Sequence, residues 1–270
     1  MSMPISFISD FGADDEFVGV VHGVIAKIAP EVRVIDVTHG IAAGNIRAGA
    51  LALTRAIQYL PEGVVLAVVD PGVGTERRPI VVETGWGLFV GPDNGLLSPA
   101  VAMVGGASRA YVISNRELVI PSAGSTFDGR DRFGPAAAAL ASGQVAITDV
   151  GPSVDPAALT PTMLPLPSAD ATSVSGTTWW VDHFGNVQTN ISPDDISGLG
   201  VSAGDTVTIR LGPTHHELRY VRAYGDVGAG EGMLIVDSQG LIAVSVREGR
   251  ADERYQLNEG RSVIVQADSS

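Results

Sequence analysis

The sequence predicts an α/β N-terminal domain with a largely parallel sheet, followed by a smaller all-β C-terminal domain. Three observations support this division. In the first half, short β-rich runs alternate with alanine-rich stretches that suit helices, as in α/β folds. The segment 151–170 carries five prolines and little periodicity, which is typical of an extended linker. After it come short alternating strands separated by Gly, Asp and Asn. We therefore place the N-terminal domain at 1–155, the linker at 156–172 and the C-terminal domain at 173–270.

The individual elements follow from the same periodicities. In the N-terminal domain, strands are predicted over 5–9, 33–37 and 64–70, and helices over 16–29, 45–60 and 135–143. In the C-terminal domain, strands are predicted over 177–182, 186–191, 205–211, 216–221, 232–237, 241–246 and 262–266. Ligands of open α/β sheets gather beyond the carboxyl ends of the strands. The polar loops 9–15, 38–40 and 70–79 are therefore the first places to look for a site.

Composition excludes several functional classes. The chain has no cysteine, so disulfides, thiolate nucleophiles and Cys-ligated metals are excluded. A net charge of −13 without a Lys/Arg-rich run predicts no nucleic-acid or anionic-membrane partner. No apolar run reaches about 18 residues, and the N-terminus lacks the pattern of a signal peptide. We expect a cytoplasmic protein.

The loop DPGVGTERRP (70–79) is glycine-rich but matches no phosphate-binding motif. It lacks both the Gly-Lys-Ser/Thr ending of a P-loop and the spacing of a dinucleotide fold. What remains is Asp70 at a strand end, a tight turn, and Arg77 beside Arg78. This pattern fits either a turn fastened by an Asp–Arg pair or a functional pair.

Three further segments place polar and aromatic side chains at strand or helix ends. In SDFGADDEF (9–17), Asp10 is suited to accept hydrogen bonds from a ribose diol, although helix capping and metal binding are alternatives for this acidic segment. STFDGRDRFGP (125–135) fits capping and ion pairing before a helix. In VDHFGNVQTNI (181–191), Phe184 offers a stacking face and Asn186 a donor–acceptor pair that suits the edge of adenine, or the segment is an ordinary turn. No spacing typical of a metal site is present.

Taken in order, these motifs resemble one family, the S-adenosyl-L-methionine (SAM) hydroxide adenosyltransferases, which are related to the fluorinases and chlorinases. The resemblance is carried by SDFG, DVTHGI, VVDPGVGTERRPI, GPDNGLL, STF-x-GRD-x-F-x-P and VDHFGN-x-x-TNI. It implies a fluorinase-like fold and hydrolysis of SAM to adenosine and L-methionine without a cofactor. It also implies a homotrimer whose sites lie between the N-terminal domain of one subunit and the C-terminal domain of its neighbour.

The resemblance assigns substrate contacts along the chain. It matches Asp10 to ribose binding, Thr126 and Phe127 to the nucleoside and sulfonium pocket, Asp182 to the methionine amine, Phe184 to adenine stacking, Asn186 to the adenine edge and Ser238 to the methionine carboxylate. Beside Ser238 stands Gln239, where the halogenases carry arginine. Recognition of the carboxylate is therefore expected to differ from theirs.

The nucleophile is predicted from four positions. Halogenating relatives have tyrosine where this chain has Asp70, whereas hydrolases have an Asp-Arg-His set whose first two members match Asp70 and Arg77. Asp128 occupies the position of the histidine, and Gly129 replaces a serine of the fluorinase. We predict that Asp70, Arg77 and Asp128 form the catalytic set and that water is the nucleophile. The alternatives are a chloride-dependent adenosyltransferase and a non-catalytic SAM- or adenosine-binding module.

Overall fold

A computed structural model describes residues 2–266 of the chain. The chain divides into two compact units between Thr162 and Met163, within the segment 156–172 that the sequence analysis treats as a linker. Residues Pro156–Ala158 form a single 3₁₀ turn. Within residues 2–266, no helix combines the length and the apolar character needed to span a bilayer.

The N-terminal unit contains a seven-stranded sheet and four helices. Its strands are β1 (Ile5–Ser9), β2 (Val34–Thr38), β3 (Val64–Val68), β4 (Pro79–Glu83), β5 (Leu88–Pro92), β6 (Arg109–Val112) and β7 (Ser153–Val154). Its helices are α1 (Phe17–Ile28), α2 (Ile46–Ile57), α3 (Ser98–Met103) and α4 (Gly134–Ser142), and a π-helical turn, Gly129–Phe133, leads into α4.

The sheet is mixed, so the prediction of a largely parallel sheet was wrong for half of it. In the order β2-β1-β3-β5-β4-β6-β7, the first four strands are parallel, whereas β4, β6 and β7 add antiparallel pairs. The connection between β4 and β5 explains the change. It is a tight turn in which the Thr84 amide donates to the Gly87 carbonyl at 2.9 Å, and a turn this short joins only antiparallel strands.

Helices cover both faces of this sheet. The side chains of β3 show how the sequence makes both faces apolar. Val64, Leu66 and Val68 pack into the same core as α1 and α4, whereas Val65 and Ala67 pack with α2 and α3. Both sets are apolar because successive side chains of a strand point to opposite faces. The parallel strands β1, β2 and β3 consequently direct their carboxyl ends, and the loops that follow them, to one edge of the sheet.

The C-terminal unit is built around a closed sheet. Its strands are β8 (Ser168–Ala169), β9 (Ser173–Val181), β10 (Val187–Thr189), β11 (Thr206–Leu211), β12 (Thr214–Val221), β13 (Gly232–Val236), β14 (Ile242–Val246) and β15 (Ser262–Gln266), with two short helices, α5 (Pro193–Ser197) and α6 (Ala251–Arg254). The order β10-β14-β13-β12-β11-β15-β9 closes through pairing of β9 with β10, and β8 pairs with β9. Alternate residues of β11, Val207, Ile209 and Leu211, are buried in its core.

Candidate active site

Asp70 and Arg77 form a buried ion pair across the loop between β3 and β4. Arg77 Nε lies 3.0 and 2.9 Å from the two carboxylate oxygens of Asp70, and Nη2 lies 2.5 Å from Oδ2. The side chains of Asp70 and Arg77 are only 5% and 11% exposed. The geometry fixes the carboxylate just beyond the end of a central strand, where α/β sheets place their ligands.

Asp128 joins this pair from a different part of the chain. Its Oδ2 accepts a hydrogen bond from Nη2 of Arg77, and its Oδ1 lies 3.1 Å from Nε of Arg132. Two carboxylates and two guanidinium groups therefore form one cluster with balanced charge, which we call the acid–arginine cluster (Asp70, Arg77, Asp128 and Arg132). Sequence reasoning missed Arg132. Its spacing of four residues from Asp128, one helical turn, was the available signal.

Arg77 remains charged at the centre of the cluster. Burial opposes the charge, but hydrogen bonds and Coulomb attraction from Asp70 and Asp128 outweigh it and raise the pKa of Arg77 above its usual value. The guanidinium also lies over the ring of Phe133, 5.1 Å from its centroid, a favourable cation–π geometry. A fixed positive charge is thus maintained between the two carboxylates.

Two glycines allow the loops around the cluster to approach one another. Gly74 has a positive φ of 78°, and a Cβ there would lie 3.0 Å from the Ser125 carbonyl oxygen. At Gly129, a Cβ would lie 2.8 Å from the ring of Phe11. A side chain at Gly74 would push the loop that carries Arg77 away from the segment that leads to Asp128, and one at Gly129 would push the segment that carries Asp128 away from Phe11.

Asp10 lies beside the cluster at the end of the neighbouring strand. Its amide donates to the Val68 carbonyl at 3.2 Å, which ties the end of β1 to that of β3. Its Oδ2 accepts a hydrogen bond of 2.8 Å from the Gly44 amide. Asp10 and Asp70 thus follow adjacent parallel strands, and the loop before α2 orients Asp10, a contribution that the sequence did not reveal.

Thr126 and Phe127 precede Asp128 and differ in their surroundings. Thr126 is exposed, whereas Phe127 is half-buried. The ring of Phe127 packs edge-on against Phe11 and Phe17, with centroids 5.5 and 5.1 Å away. Packing therefore covers part of the Phe127 ring, whereas Thr126 is exposed in the same loop.

Asp182 and Asn186 form a tight turn in the C-terminal unit. Asp182 Oδ1 accepts hydrogen bonds from the amides of Phe184 and Asn186 at 2.9 and 2.8 Å, and Oδ2 accepts one from Asn186 Nδ2 at 2.8 Å. This is the turn that the sequence analysis considered as an alternative. A carboxylate has about four acceptor positions, so Asp182 retains capacity for one further donor.

The turn presents Phe184 to solvent. Its side chain is 73% exposed, which is unusual for a large aromatic residue. With Asp182 and Asn186 it lines an open groove whose other side is formed by Tyr224 and residues 246–250. Sequence reasoning missed Tyr224 and Arg250, whose Nη1 donates to the His183 carbonyl at 2.8 Å. An exposed ring beside a donor–acceptor amide is suited to hold a flat heterocycle.

Ser238 lies apart from that groove. It is exposed in the turn between β13 and β14, which Asp237 holds by accepting hydrogen bonds from the amides of Gln239 and Leu241 at 2.8 and 3.1 Å. The groove residue Val246 is at the other end of β14. The predicted residues therefore fall into a group in the N-terminal unit, the Asp182–Asn186 turn, and Ser238 on its own. In the described part of the chain, no group of three His, Asp or Glu side chains is arranged to hold a metal ion.

Comparison with known proteins identifies the family. The models of the SAM hydroxide adenosyltransferase N-terminal and C-terminal domains match residues 5–151 and 176–264. The chain belongs to the SAM hydroxide adenosyltransferase family. The two matched regions fall on either side of the division between Thr162 and Met163.

Relatives within and near this family cover almost the full chain. An (R)-S-adenosyl-L-methionine hydrolase from Salinispora tropica is 43% identical over 263 residues, 97% of each chain. A fluorinase from Actinopolyspora mzabensis is 28% identical, covering 97% of this chain and 96% of its own. A crystal structure of an uncharacterized conserved protein from Thermotoga maritima superposes with a TM-score of 0.89 at 35% identity, covering 97% of this chain and 99% of that one.

Proposed function

We propose that this chain hydrolyses SAM to adenosine and L-methionine by in-line attack of water on the ribose 5′-carbon. The observation that carries the proposal is the buried acid–arginine cluster next to Asp10 at the carboxyl ends of β1 and β3. Membership of the family and the 43% identity to a SAM hydrolase support the same reaction.

The chemistry places few demands on the protein. The water oxygen forms a bond to C5′ while the C5′–S bond breaks. The electron pair of the broken C5′–S bond stays on sulfur, which neutralises the sulfonium and gives the thioether of methionine. Water loses one proton. Because the sulfonium is already a good leaving group, the enzyme needs no general acid and no cofactor. It must position and activate water, a task for orientation and preorganised charge.

Asp70 is the group proposed to accept the proton. Its carboxylate is fixed by Arg77, and a carboxylate so held can still accept a hydrogen bond from water through a remaining lone pair. Arg77 stabilises developing hydroxide character. Asp128 stands where the family resemblance places histidine, and it shares Arg77 with Asp70. We therefore assign Asp128, the second carboxylate of the set, the role of holding Arg77 in place.

We propose the remaining substrate contacts on the basis of family membership. Asp10 would hold the ribose diol, Thr126 and Phe127 would line the sulfonium pocket, and Asp182, Phe184, Asn186 and Ser238 would contact adenine and methionine. We propose a fluorinase-like homotrimer in which the N-terminal domain of one subunit and the C-terminal domain of its neighbour complete each site. The exposure of Phe184 supports a role for its ring beyond the packing of its own domain.

The stereochemistry at sulfur is part of the proposal. The name of the Salinispora tropica relative specifies the R epimer of SAM, so we propose that this chain also prefers that epimer. Purified protein is incubated separately with the R and S epimers in chloride buffer, and products are identified by liquid chromatography and mass spectrometry. Adenosine and methionine should form faster from the R epimer than from the S epimer or without enzyme.

Other outcomes would each contradict the proposal in a different way. Formation of 5′-chloro-5′-deoxyadenosine would indicate a chloride-dependent adenosyltransferase. Binding of SAM, measured by calorimetry, without any product would indicate a binding module. Absence of both binding and product would refute the assigned site as a whole.

A further inference from the structure

His39, in the loop after β2, connects Asp36 on β2 to Ser9 at the end of β1. The proposed reaction assigns no role to this histidine. Its Nε2 lies 3.1 Å from Asp36 Oδ1, and its Nδ1 lies 2.7 Å from Ser9 Oγ. The ring packs edge-on against Phe7, with centroids 4.6 Å apart, and the side chain is 12% exposed. The imidazole is therefore held on three sides.

The hydrogen-bond directions in this chain of groups follow from charge. The carboxylate of Asp36 can only accept, so neutral His39 must carry its proton on Nε2. Nδ1 then accepts from the Ser9 hydroxyl. Ser9 Oγ in turn accepts from the Phe11 amide at 3.3 Å. These bonds run from Asp36 through His39 and Ser9 to the backbone on the far side of Asp10.

Ser9, His39 and Asp36 are not a serine-hydrolase triad. Ser9 is completely buried, so a substrate cannot reach its hydroxyl. The ring is also reversed: serine faces Nδ1 and the carboxylate faces Nε2, whereas a triad has the opposite arrangement. The position of these groups in the chain suggests what they do instead.

The segment 9–12 is held by His39 at both ends. Ser9 is bound through its hydroxyl, and the Gly12 amide donates to the His39 carbonyl at 2.8 Å. Asp10 lies between these two attachments. One oxygen of the Asp10 carboxylate accepts a hydrogen bond from the Gly44 amide. The orientation of the carboxylate therefore also depends on how firmly the flanking backbone is fixed.

We propose that His39 is a positioning residue that fixes the backbone around Asp10 and thereby aligns the Asp10 carboxylate with the ribose of the substrate. The inference rests on the proposed function, because it takes Asp10 as the ribose contact. It adds a role for the THG segment (38–40) that the substrate and catalytic assignments do not include.

Two substitutions separate the two hydrogen bonds of the ring. His39→Asn places an acceptor near the position of Nδ1 and keeps the bond to Ser9, whereas His39→Gln places a donor near that of Nε2 and keeps the bond to Asp36. Each variant loses one bond. If positioning passes through Ser9, adenosine affinity and KM should worsen roughly tenfold in the Gln variant, the value of about one buried hydrogen bond, with kcat changing less. The Asn variant should restore most of the affinity.

His22→Asn is the matched control. His22 Nε2 binds the same Asp36 oxygen at 2.8 Å, but no hydrogen bond connects His22 to the segment 9–12 in the described structure. This variant should bind adenosine like the wild type. On an Asp10→Ala background, His39→Gln should cause little further loss, because both changes act on one contact. Equal losses in the Asn, Gln and His22 variants, or a full further loss on the Asp10→Ala background, would overturn the proposal.

Hydrogen exchange of the Phe11 and Gly12 amides provides a readout that needs no ligand. Exchange should accelerate in His39→Gln and remain slow in His39→Asn and His22→Asn. If the wild type bound neither adenosine nor SAM, the proposed function and the role given to Asp10 would both fail, whatever the exchange rates. If the wild type bound adenosine and the Gln variant matched it in affinity and exchange, only the inference about His39 would fail.

Discussion

The acid–arginine cluster and the Asp182–Asn186 turn both use aspartate as a hydrogen-bond acceptor, but they are built from contacts of very different range. Arg77 reaches Asp128 across 51 positions of the sequence, and the cluster is buried. The Asp182 carboxylate accepts hydrogen bonds from groups within four residues of itself, and its turn leaves Phe184 exposed. The first arrangement depends on the tertiary fold and fixes charge, whereas the second is local and presents a surface. Substitutions in the two regions should therefore fail in different ways.

The largest effect is expected for Asp70→Asn. The amide keeps the shape of the carboxylate but cannot accept a proton from water, so kcat should fall by about 10²–10⁴, the usual contribution of a general base. Affinity for SAM should change little, because Asp70 is assigned no ground-state contact. Steady-state kinetics and calorimetry on the same preparation measure both quantities. Parallel loss of turnover and affinity would refute the assigned role.

Asp128→Ala should act mainly on stability. It leaves Arg77 with one partner and removes the carboxylate that pairs with Arg132, and breaking a buried ion pair in this way typically costs about 3–5 kcal/mol of unfolding free energy. Arg132→Leu is the matched control. Its side chain is 39% exposed, so its loss should cost less than about 1 kcal/mol. Urea denaturation of the two variants tests the difference, and equal costs would show that Asp128 is not structurally coupled to Arg77.

Phe184→Ala should have the opposite profile. Because the ring is 73% exposed, the free energy of unfolding should remain within about 0.5 kcal/mol of the wild-type value. Adenosine affinity should fall about tenfold, since stacking of a base on an aromatic ring is worth about 1–3 kcal/mol. Phe184→Tyr should retain the affinity. A destabilised protein with unchanged adenosine binding would show that the ring serves packing.

The smallest effect concerns Asp36 and pH. Burial alone would raise the pKa of Asp36, but hydrogen bonds and Coulomb attraction from His22 and His39 outweigh it and lower the pKa below the ordinary value of an aspartate. A lowered pKa in the folded state contributes stability above the unfolded-state value and loses it as the pH falls through the folded-state value. Asp36→Asn should therefore reduce the thermal midpoint slightly at pH 6, with the difference from wild type shrinking below about pH 4. A difference that grows on acidification would contradict this sign.

The sequence by itself determined the features that depend on near neighbours. Short apolar, β-rich runs predicted β1 and β3, and an alanine-rich run predicted α4. The separation of Asp70 and Arg77 by seven residues allowed the sequence to suggest an ion pair between them. The side-chain hydrogen bonds of Asp182 belong to the same class, because each joins Asp182 to a group within four residues.

Only the tertiary structure decided the rest. The antiparallel pairing of β4 with β6 and the connection from His39 to Ser9 join residues that are far apart along the chain. The same holds for the direct ion pair between Asp128 and Arg77, which the family resemblance had only grouped into one set. Their encounter is fixed by which strands become neighbours and where loops cross, and local side-chain periodicity carries little information about either. The residue types at the site were therefore visible in the sequence, whereas the partners that hold them in place emerged only from the packed fold.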